Sequence, residues 1–173
     1  LAGGQFSKSR KHAVWLPSFL ERYNPDYLRY YLSINMPENH DTDFNWPDFV
    51  EKINNELIAA YGNFVHRVLT LGVRLPMGAN GPLADIEMTE LTIAHRQKLE
   101  EIHASITDSL LRHRYKEALR HVMSAAQYGN QILQAATPWK FLESEEDTEE
   151  RRQSLSTLAF GWRLSRFLAI TSQ

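Results

Sequence analysis

The strongest folding pattern in this chain of 173 residues is a long run of apolar side chains at helical spacing. Between residues 46 and 74 they recur every three or four positions, at Ile53, Leu57, Tyr61, Phe64, Val68 and Leu71. That spacing places them on one face of an α-helix, whereas a strand would require alternation. Similar stripes follow in 89–112, in 114–135 and from the acidic block near 145 to about 170. No β pattern of any length occurs in the sequence, which therefore predicts an all-α protein.

Capping residues mark where some of these helices begin. Asn24 can cap a helix that has Pro25 at its first position, so AVWLPSFLERYNPDYLRYYL is expected to form two short helices. Asn45 can cap the long helix, with Asp48 at the capping-box position, and PMGANGP ends that helix. We therefore expect a bundle of four to five helices preceded by a small loop-plus-helix segment.

Composition excludes several classes of protein. A hydrophobic share of 43% over 173 residues suffices for one sizeable core. The absence of cysteine excludes disulfides and thiolate zinc sites within this chain, and no apolar run approaches the ~20 residues of a membrane span. The net charge of −2 is unevenly spread, with an acidic ESEEDTEE block and basic SKSRKH, RHRYKEALRH and GWRLSR segments. Because the chain begins without Met or a signal-peptide pattern, we expect a piece of a longer cytoplasmic protein.

Three polar features could bind a ligand, and each has a structural alternative. QFSKSRK follows Gly3-Gly4 and offers hydroxyls, cations and backbone amides to a phosphate, although by itself it is also typical of a solvated basic loop. Asn63 and Arg67 lie four residues apart on one helical face and could read base edges, or could be solvated. A polar strip extends this face with Glu56, Thr70 and Arg74. The mid-helix Gly62 suggests close approach by a neighbouring helix or a nucleotide.

The third feature is the AATPWK segment. Thr137 can cap a short helix, with Pro138 at the first position and Trp139 in the first turn. An indole at this place can stack on an unpaired base, or it can anchor the short helix to the bundle. The seven histidines show no metal-ligand spacing, so no metal site is expected.

Taken together, these motifs resemble those of a known family. FSKSR after Gly-Gly, followed by a helix and PDYLRYYL, is similar to the KMSKS signature loop of class I aminoacyl-tRNA synthetases. INNELIAAYGNFVHRV and AQYGNQILQAATPWK, in that order, resemble the anticodon-binding domain of methionyl-tRNA synthetase, and RYYLSINMPENHDTDFNWPDF resembles that family's junction. The resemblance divides the chain into residues 1–34, the signature loop with connecting helices, and residues 35–173, the helical anticodon-binding domain.

The resemblance also implies roles for individual residues. The ATP-phosphate loop would comprise Gln5, Phe6, Ser7, Lys8 and Ser9. In this loop Lys8 would be the catalytic cation that stabilises charge on the departing pyrophosphate. Gln5 stands where the family usually has a lysine, which weakens the expected phosphate contacts. Anticodon bases would be bound by Asn63, Arg67, Pro138 and Trp139, by edge hydrogen bonds and stacking.

The implied parent enzyme ligates methionine to tRNA with ATP and Mg²⁺. Its nucleotide-binding domain would precede Leu1, so we expect the present chain to be inactive alone, monomeric and without a bound cofactor. Its expected partners are methionine tRNA and that missing catalytic domain, with no membrane. Two alternatives stay open: another class I synthetase, for cysteine or a branched aliphatic amino acid, or a non-catalytic helical adaptor that binds RNA or protein.

Overall fold

A computed structural model describes residue 4 and residues 13–37, 42–75, 86–87, 89–144 and 146–171 of the chain. The described residues form helices and connecting turns, without a strand, so the prediction of an all-α fold is confirmed. In chain order the elements are α1 Leu16–Leu20, α2 Pro25–Ile34, α3 Trp46–Lys52, a π-helical segment Ile53–Gly62, α4 Asn63–Gly72, α5 Glu90–Leu111, α6 Tyr115–Ala136, a 3-10 turn Pro138–Lys140, and α7 Glu149–Thr171. No described helix is both long enough and apolar enough to cross a membrane.

The predicted helix starts at Asn24 and Asn45 are confirmed. The Asn24 side chain accepts a hydrogen bond from the Asp26 amide at 2.8 Å, and Pro25 occupies the first position of α2. The Asn45 side chain accepts from the Asp48 amide at 3.4 Å. These bonds satisfy amides that have no partner within the helix, which fixes where α2 and α3 begin.

The segment Ile53–Gly62 is a π-helix, which the apolar spacing did not predict. The helix stays continuous from α3 through this segment into α4, with right-handed helical backbone angles at Lys52 and Asn63. The wider turn of the π-helix is seen at Asn63, whose backbone amide donates to the carbonyl of Ile58, five residues earlier. A Cβ on Gly62 would lie 3.3 Å from the Leu57 carbonyl oxygen of the same helix, and no other described helix comes within 4 Å of it. Of the two partners that Gly62 suggested, a neighbouring helix is therefore not found in the described part of the chain, and a nucleotide stays a prediction.

The centre of the core lies where α4, α6 and α7 meet. Phe64 and Val68 of α4 are fully buried there, as are Leu133 of α6 and Leu158 of α7. Two glycines permit this packing: a Cβ on Gly129 would collide with the Phe64 ring, and one on Gly161 would lie 3.2 Å from Val68. Helix α4 therefore buries the face that carries Phe64 and Val68, while Asn63 remains exposed at the surface.

A buried hydroxyl network joins the start of α5 to α7. The Thr92 and Ser156 hydroxyls lie 3.0 Å apart, and the Ser156 hydroxyl accepts from the Thr89 amide at 3.1 Å. Both side chains are fully buried, and the Thr92 hydroxyl also donates to the Thr89 carbonyl at 2.8 Å, so neither hydroxyl is left unsatisfied. The network therefore favours one register of α5 against α7.

Residues before α3 pack onto the bundle through aromatic side chains. The Tyr31 hydroxyl donates to Asp48 at 2.7 Å, and the Tyr30 hydroxyl donates to Glu56. Burial and the Asp48 bond raise the pKa of Tyr31 to about 12, so the phenol stays protonated and keeps donating. Leu32 of α2 faces away from this packing and is 55% exposed. The boundary between residues 34 and 35 stays a prediction.

His95 on α5 provides a pH-sensitive contact. Its Nδ1 lies 2.6 Å from the Tyr128 hydroxyl of α6, and burial lowers the pKa of His95. Burial also raises the pKa of Tyr128, partly opposed by Lys98, so the phenol can donate to the neutral imidazole. Because its pKa is lower in the folded state, His95 favours folding when the ring is neutral. Its contribution to stability is fully present above the unfolded-state pKa of about 6.5 and is lost as the pH falls below that value.

We expect His95→Asn to flatten this decline. Urea unfolding measured from pH 7.5 to 5 should show a smaller loss of stability for the variant than for the wild type, because one fewer proton is taken up on unfolding. His103→Asn, which removes an exposed imidazole from the same helix, is the control. If the free energy of unfolding fell equally with pH in the wild type and in His95→Asn, His95 would not be the group responsible for the decline.

Candidate nucleic-acid interface

An open groove of 740 Å³ runs between the long helix and α6. The π segment and α4 form one wall, and α6 forms the other. The two walls run in the same direction, because Asn63 faces Asn130 and Arg67, one turn later, faces Gln134. The groove is lined by Asn55, Ala59, Ala60, Asn63, Arg67, Gln127, Asn130, Gln131, Gln134 and Ala135. Six of these side chains are carboxamides, which can each donate and accept hydrogen bonds.

Asn130 organises the middle of this groove. Its Nδ2 donates to the Ala60 carbonyl at 2.8 Å, which fixes the rotamer of the amide against the π segment. Its Oδ1 accepts from Asn63 Nδ2 and from Arg67 Nη1, both at 3.4 Å. Bonds of that length lie beyond the usual 2.7–3.2 Å range and are easily exchanged for better ones. The side chains of Asn63 and Arg67 are therefore held in the groove by weak hydrogen bonds to Asn130 that a ligand can replace.

Arg67 and Trp139 meet at one end of the groove. The Arg67 guanidinium carbon lies 5.4 Å from the centre of the Trp139 ring, a cation–π arrangement, and Nη2 donates to Gln134 at 3.2 Å. Pro138 is buried, whereas Trp139 keeps 36% of its surface exposed. Part of the indole is therefore available to a ligand, and Pro138 fixes the turn that presents it.

Thr137 differs from its expected role. It occupies the cap position of the 3-10 turn, but its side chain makes no capping hydrogen bond. Its backbone has φ 45° and ψ 50°, the left-handed conformation that ends α6. This conformation is unfavourable for a β-branched residue. The turn is therefore closed by the Lys140 amide, which donates to the Thr137 carbonyl at 3.0 Å, and not by a threonine cap.

The structure brings together four predicted side chains, Asn63, Arg67, Pro138 and Trp139. The predicted phosphate-loop residues Gln5, Phe6, Ser7, Lys8 and Ser9 lie outside the described residues. The remainder of the predicted polar strip has other partners. Arg74 pairs with Glu143 at 2.6 Å, Thr70 lies 3.5 Å from His66, and Glu56 accepts from Tyr30.

Sequence reasoning missed the contribution of α6 to this groove. Gln127, Asn130, Gln131 and Gln134 stand at spacings of three, one and three, which places them on one helical face. An uncharged amide face is a weaker signal than a charged one, but this periodicity in AQYGNQILQAA was available. Among the described residues, no group of three His, Cys, Asp or Glu side chains is placed to hold a metal ion.

Comparison with known proteins identifies the family to which this chain is similar. Residues 1–69 match the family described as tRNA synthetases class I (M). Over 176 residues, the chain is 37% identical to the methionine–tRNA ligase of Thermococcus onnurineus, covering 98% of this chain and 22% of that protein. The chain belongs to the methionine-type class I tRNA synthetase family.

Other synthetases of this family show similar agreement. Identity is 42% over 143 residues with the methionine–tRNA ligase of Pyrococcus abyssi, which covers 81% of this chain and 19% of that synthetase. It is 38% over 141 residues with the enzyme named methionine–tRNA ligase in Bacillus mycoides, covering 82% of this chain and 25% of that enzyme. The chain thus spans between 19% and 25% of the length of these synthetases.

Proposed function

We propose that this chain is the tRNA-recognising part of a methionine–tRNA ligase, and that its groove binds the anticodon loop of methionine tRNA. The observation that carries the proposal is that Arg67, which lines the amide-lined groove together with Asn63, also lies over the ring of a partly exposed Trp139. Unpaired RNA bases are recognised by this combination of stacking surfaces and side chains that hydrogen-bond base edges.

Each side chain has a distinct task in this proposal. The exposed part of Trp139 stacks on a base that has left the loop, and Pro138 holds the turn that presents the ring. Arg67 and Asn63 hydrogen-bond base edges, exchanging their long bonds to Asn130 for shorter ones to RNA. Such stacking contributes about 1–3 kcal/mol for each base, and a good bidentate contact discriminates by a similar amount.

The remaining parts of the proposal concern the whole enzyme. The ligase joins methionine to tRNA at the expense of ATP, with Mg²⁺, and acts in the cytoplasm. Its phosphate loop is Gln5 to Ser9, where Lys8 carries the charge that faces the pyrophosphate; these contacts rest on the sequence resemblance. A catalytic domain of the same polypeptide is the partner of residues 1–34, and the chain itself is a monomer.

The proposal is tested by anticodon discrimination. Fluorescence anisotropy should give tighter binding to a methionine anticodon stem-loop than to the same stem-loop with an unrelated anticodon, by about 10- to 100-fold for one or two misread bases. Equal affinities would contradict anticodon recognition, and RNA-independent binding of a protein partner in its place would favour an adaptor.

A further inference from the structure

The groove between the long helix and α6, which we call the amide groove, is bordered by a second cavity of 350 Å³. This cavity lies at the end of the groove that is farther from Arg67. It lies between α2, α3 and the π segment on one side and α6 on the other. Gln127 lines both cavities, so they meet at this residue. The side chains around the second cavity are Ile34, Asn35, Lys52, Glu56, Lys116, Arg120, Met123, Ser124 and Gln127.

The charges around this cavity favour an anion. Lys116 and Arg120 stand four residues apart on α6, so both project from the same face. Lys52 faces them from α3, and its ammonium donates to Asn35 Oδ1 at 2.7 Å and to Asp48 at 3.0 Å. Glu56 is the carboxylate in the lining, and it accepts from the Tyr30 hydroxyl. The lining of the cavity therefore contains three cationic side chains and one carboxylate.

Asn35 adds an independent observation. Lys52 holds its oxygen, and its amide nitrogen is buried without a hydrogen-bond partner among the described residues. Buried donors are nearly always paired in native proteins, because leaving one unpaired is costly. Asn35 lines the cavity, so an oxygen-bearing ligand that displaces the atoms covering this nitrogen would supply a suitable acceptor.

The distance between the two ends of the groove fits a nucleic-acid strand. Arg67 follows Lys52 by 15 residues on one continuous helix, which is roughly 20 Å. A stacked strand advances about 3.4 Å for each nucleotide, so several nucleotides separate the two ends. A strand whose bases reach Arg67 and Trp139 can therefore carry its backbone past Lys116 and Arg120.

We propose that Lys116 and Arg120, with Lys52 as the opposite wall, bind backbone phosphates of the RNA whose bases occupy the amide groove. This inference rests on the proposed function, because the RNA is the same molecule. Phosphate contacts set position and affinity but carry no base information. The two regions therefore have different roles in this proposal. The amide groove and Trp139 recognise bases, and the cations of the second cavity bind the RNA backbone.

The test is the double variant Lys116→Gln/Arg120→Gln in the whole chain, measured on the methionine stem-loop and on the stem-loop with an unrelated anticodon. Loss of two phosphate contacts should weaken binding of both RNAs by about 10- to 30-fold near 150 mM salt and lower the slope of log affinity against log salt by about 1.5 to 2. The preference between the two RNAs should stay unchanged. Arg96→Gln/Lys98→Gln on α5, where each cation pairs with an exposed glutamate, removes the same charge and is the matched control.

The outcomes separate the two proposals. Unchanged affinity of the double variant, or an equal loss in the α5 control, overturns the phosphate site whether or not the wild type prefers the methionine anticodon. A specific loss of affinity in a protein that shows no anticodon preference retains the phosphate site and overturns anticodon recognition. Failure of the wild type to bind either stem-loop overturns both.

Discussion

Replacing Gly129 with alanine is expected to destabilise the protein by about 2 kcal/mol, the largest effect we expect from a single added methyl group. The new Cβ would lie 2.7 Å from Cζ and 2.8 Å from Cδ2 of Phe64, and closer still to Cε2. Phe64 is fully buried between α4, α6 and α7, so its ring cannot move aside into solvent. With three ring atoms under 3.0 Å the overpacking should cost about 3 kcal/mol, the upper end of the usual range, and the better helix propensity of alanine offsets about 1 kcal/mol.

Denaturant unfolding and thermal melting measure this effect. At about 2–4 °C for each kcal/mol in a protein of this size, the melting temperature should fall by about 4–8 °C. Gly161→Ala is the matched control: its Cβ would lie 3.2 Å from Val68, so a small shift suffices and the change should stay within about 1 kcal/mol. Because Phe64→Leu makes room, Gly129→Ala should cost less in that background, and an additive double-mutant cycle would contradict the clash.

Replacing Trp139 with alanine should weaken binding of a methionine anticodon stem-loop by about 10- to 100-fold, which corresponds to the loss of one base-stacking surface. The indole is 36% exposed, and Arg67 lies over its ring, so the truncation also frees the guanidinium. Trp139→Phe keeps an aromatic face and should lose less than tenfold. The measurement is a binding titration at constant salt, since affinity for RNA varies steeply with salt.

Trp15→Ala is the control for this experiment. Trp15 is 48% exposed in the turn before α1 and does not line the amide groove. If Trp15→Ala lost as much affinity for the stem-loop as Trp139→Ala, exposed indoles would bind RNA nonspecifically. That result would contradict a specific stacking site at Trp139. Circular dichroism of Trp139→Ala should retain the helical signal of the wild type, because Trp139 belongs to a three-residue 3-10 turn and is not one of the buried core residues.

Local signals in the sequence predicted the parts of this structure that depend on neighbouring residues. Asn24 and Asn45 cap helices because each bond spans only two or three residues. Asn63 and Arg67 share a face because four residues make about one turn. These arguments need no knowledge of the tertiary fold, and the described helix bounds agree with them to within a few residues.

Contacts between distant segments could not be predicted in the same way. Asn130 meets Asn63 across 67 residues of sequence, so only the packing of α4 on α6 reveals that an amide completes the site. The π segment has the same apolar spacing as an α-helix, so periodicity could not distinguish them. Thr137 has the residue type and position of a cap, but the left-handed end of α6 turns its side chain away from that role.

The π segment has one further consequence, which concerns rotational phase. In an α-helix one residue corresponds to about 100° of rotation. A π-helix has more residues in each turn, so each residue of Ile53–Gly62 turns the chain by less than this angle, and the segment sets the phase at which α4 begins. A change in that phase would carry Phe64 and Val68 out of the core and Asn63 and Arg67 out of the groove together. The core and the groove thus share one setting of the helix, and any chain that packs correctly also presents these side chains to a ligand.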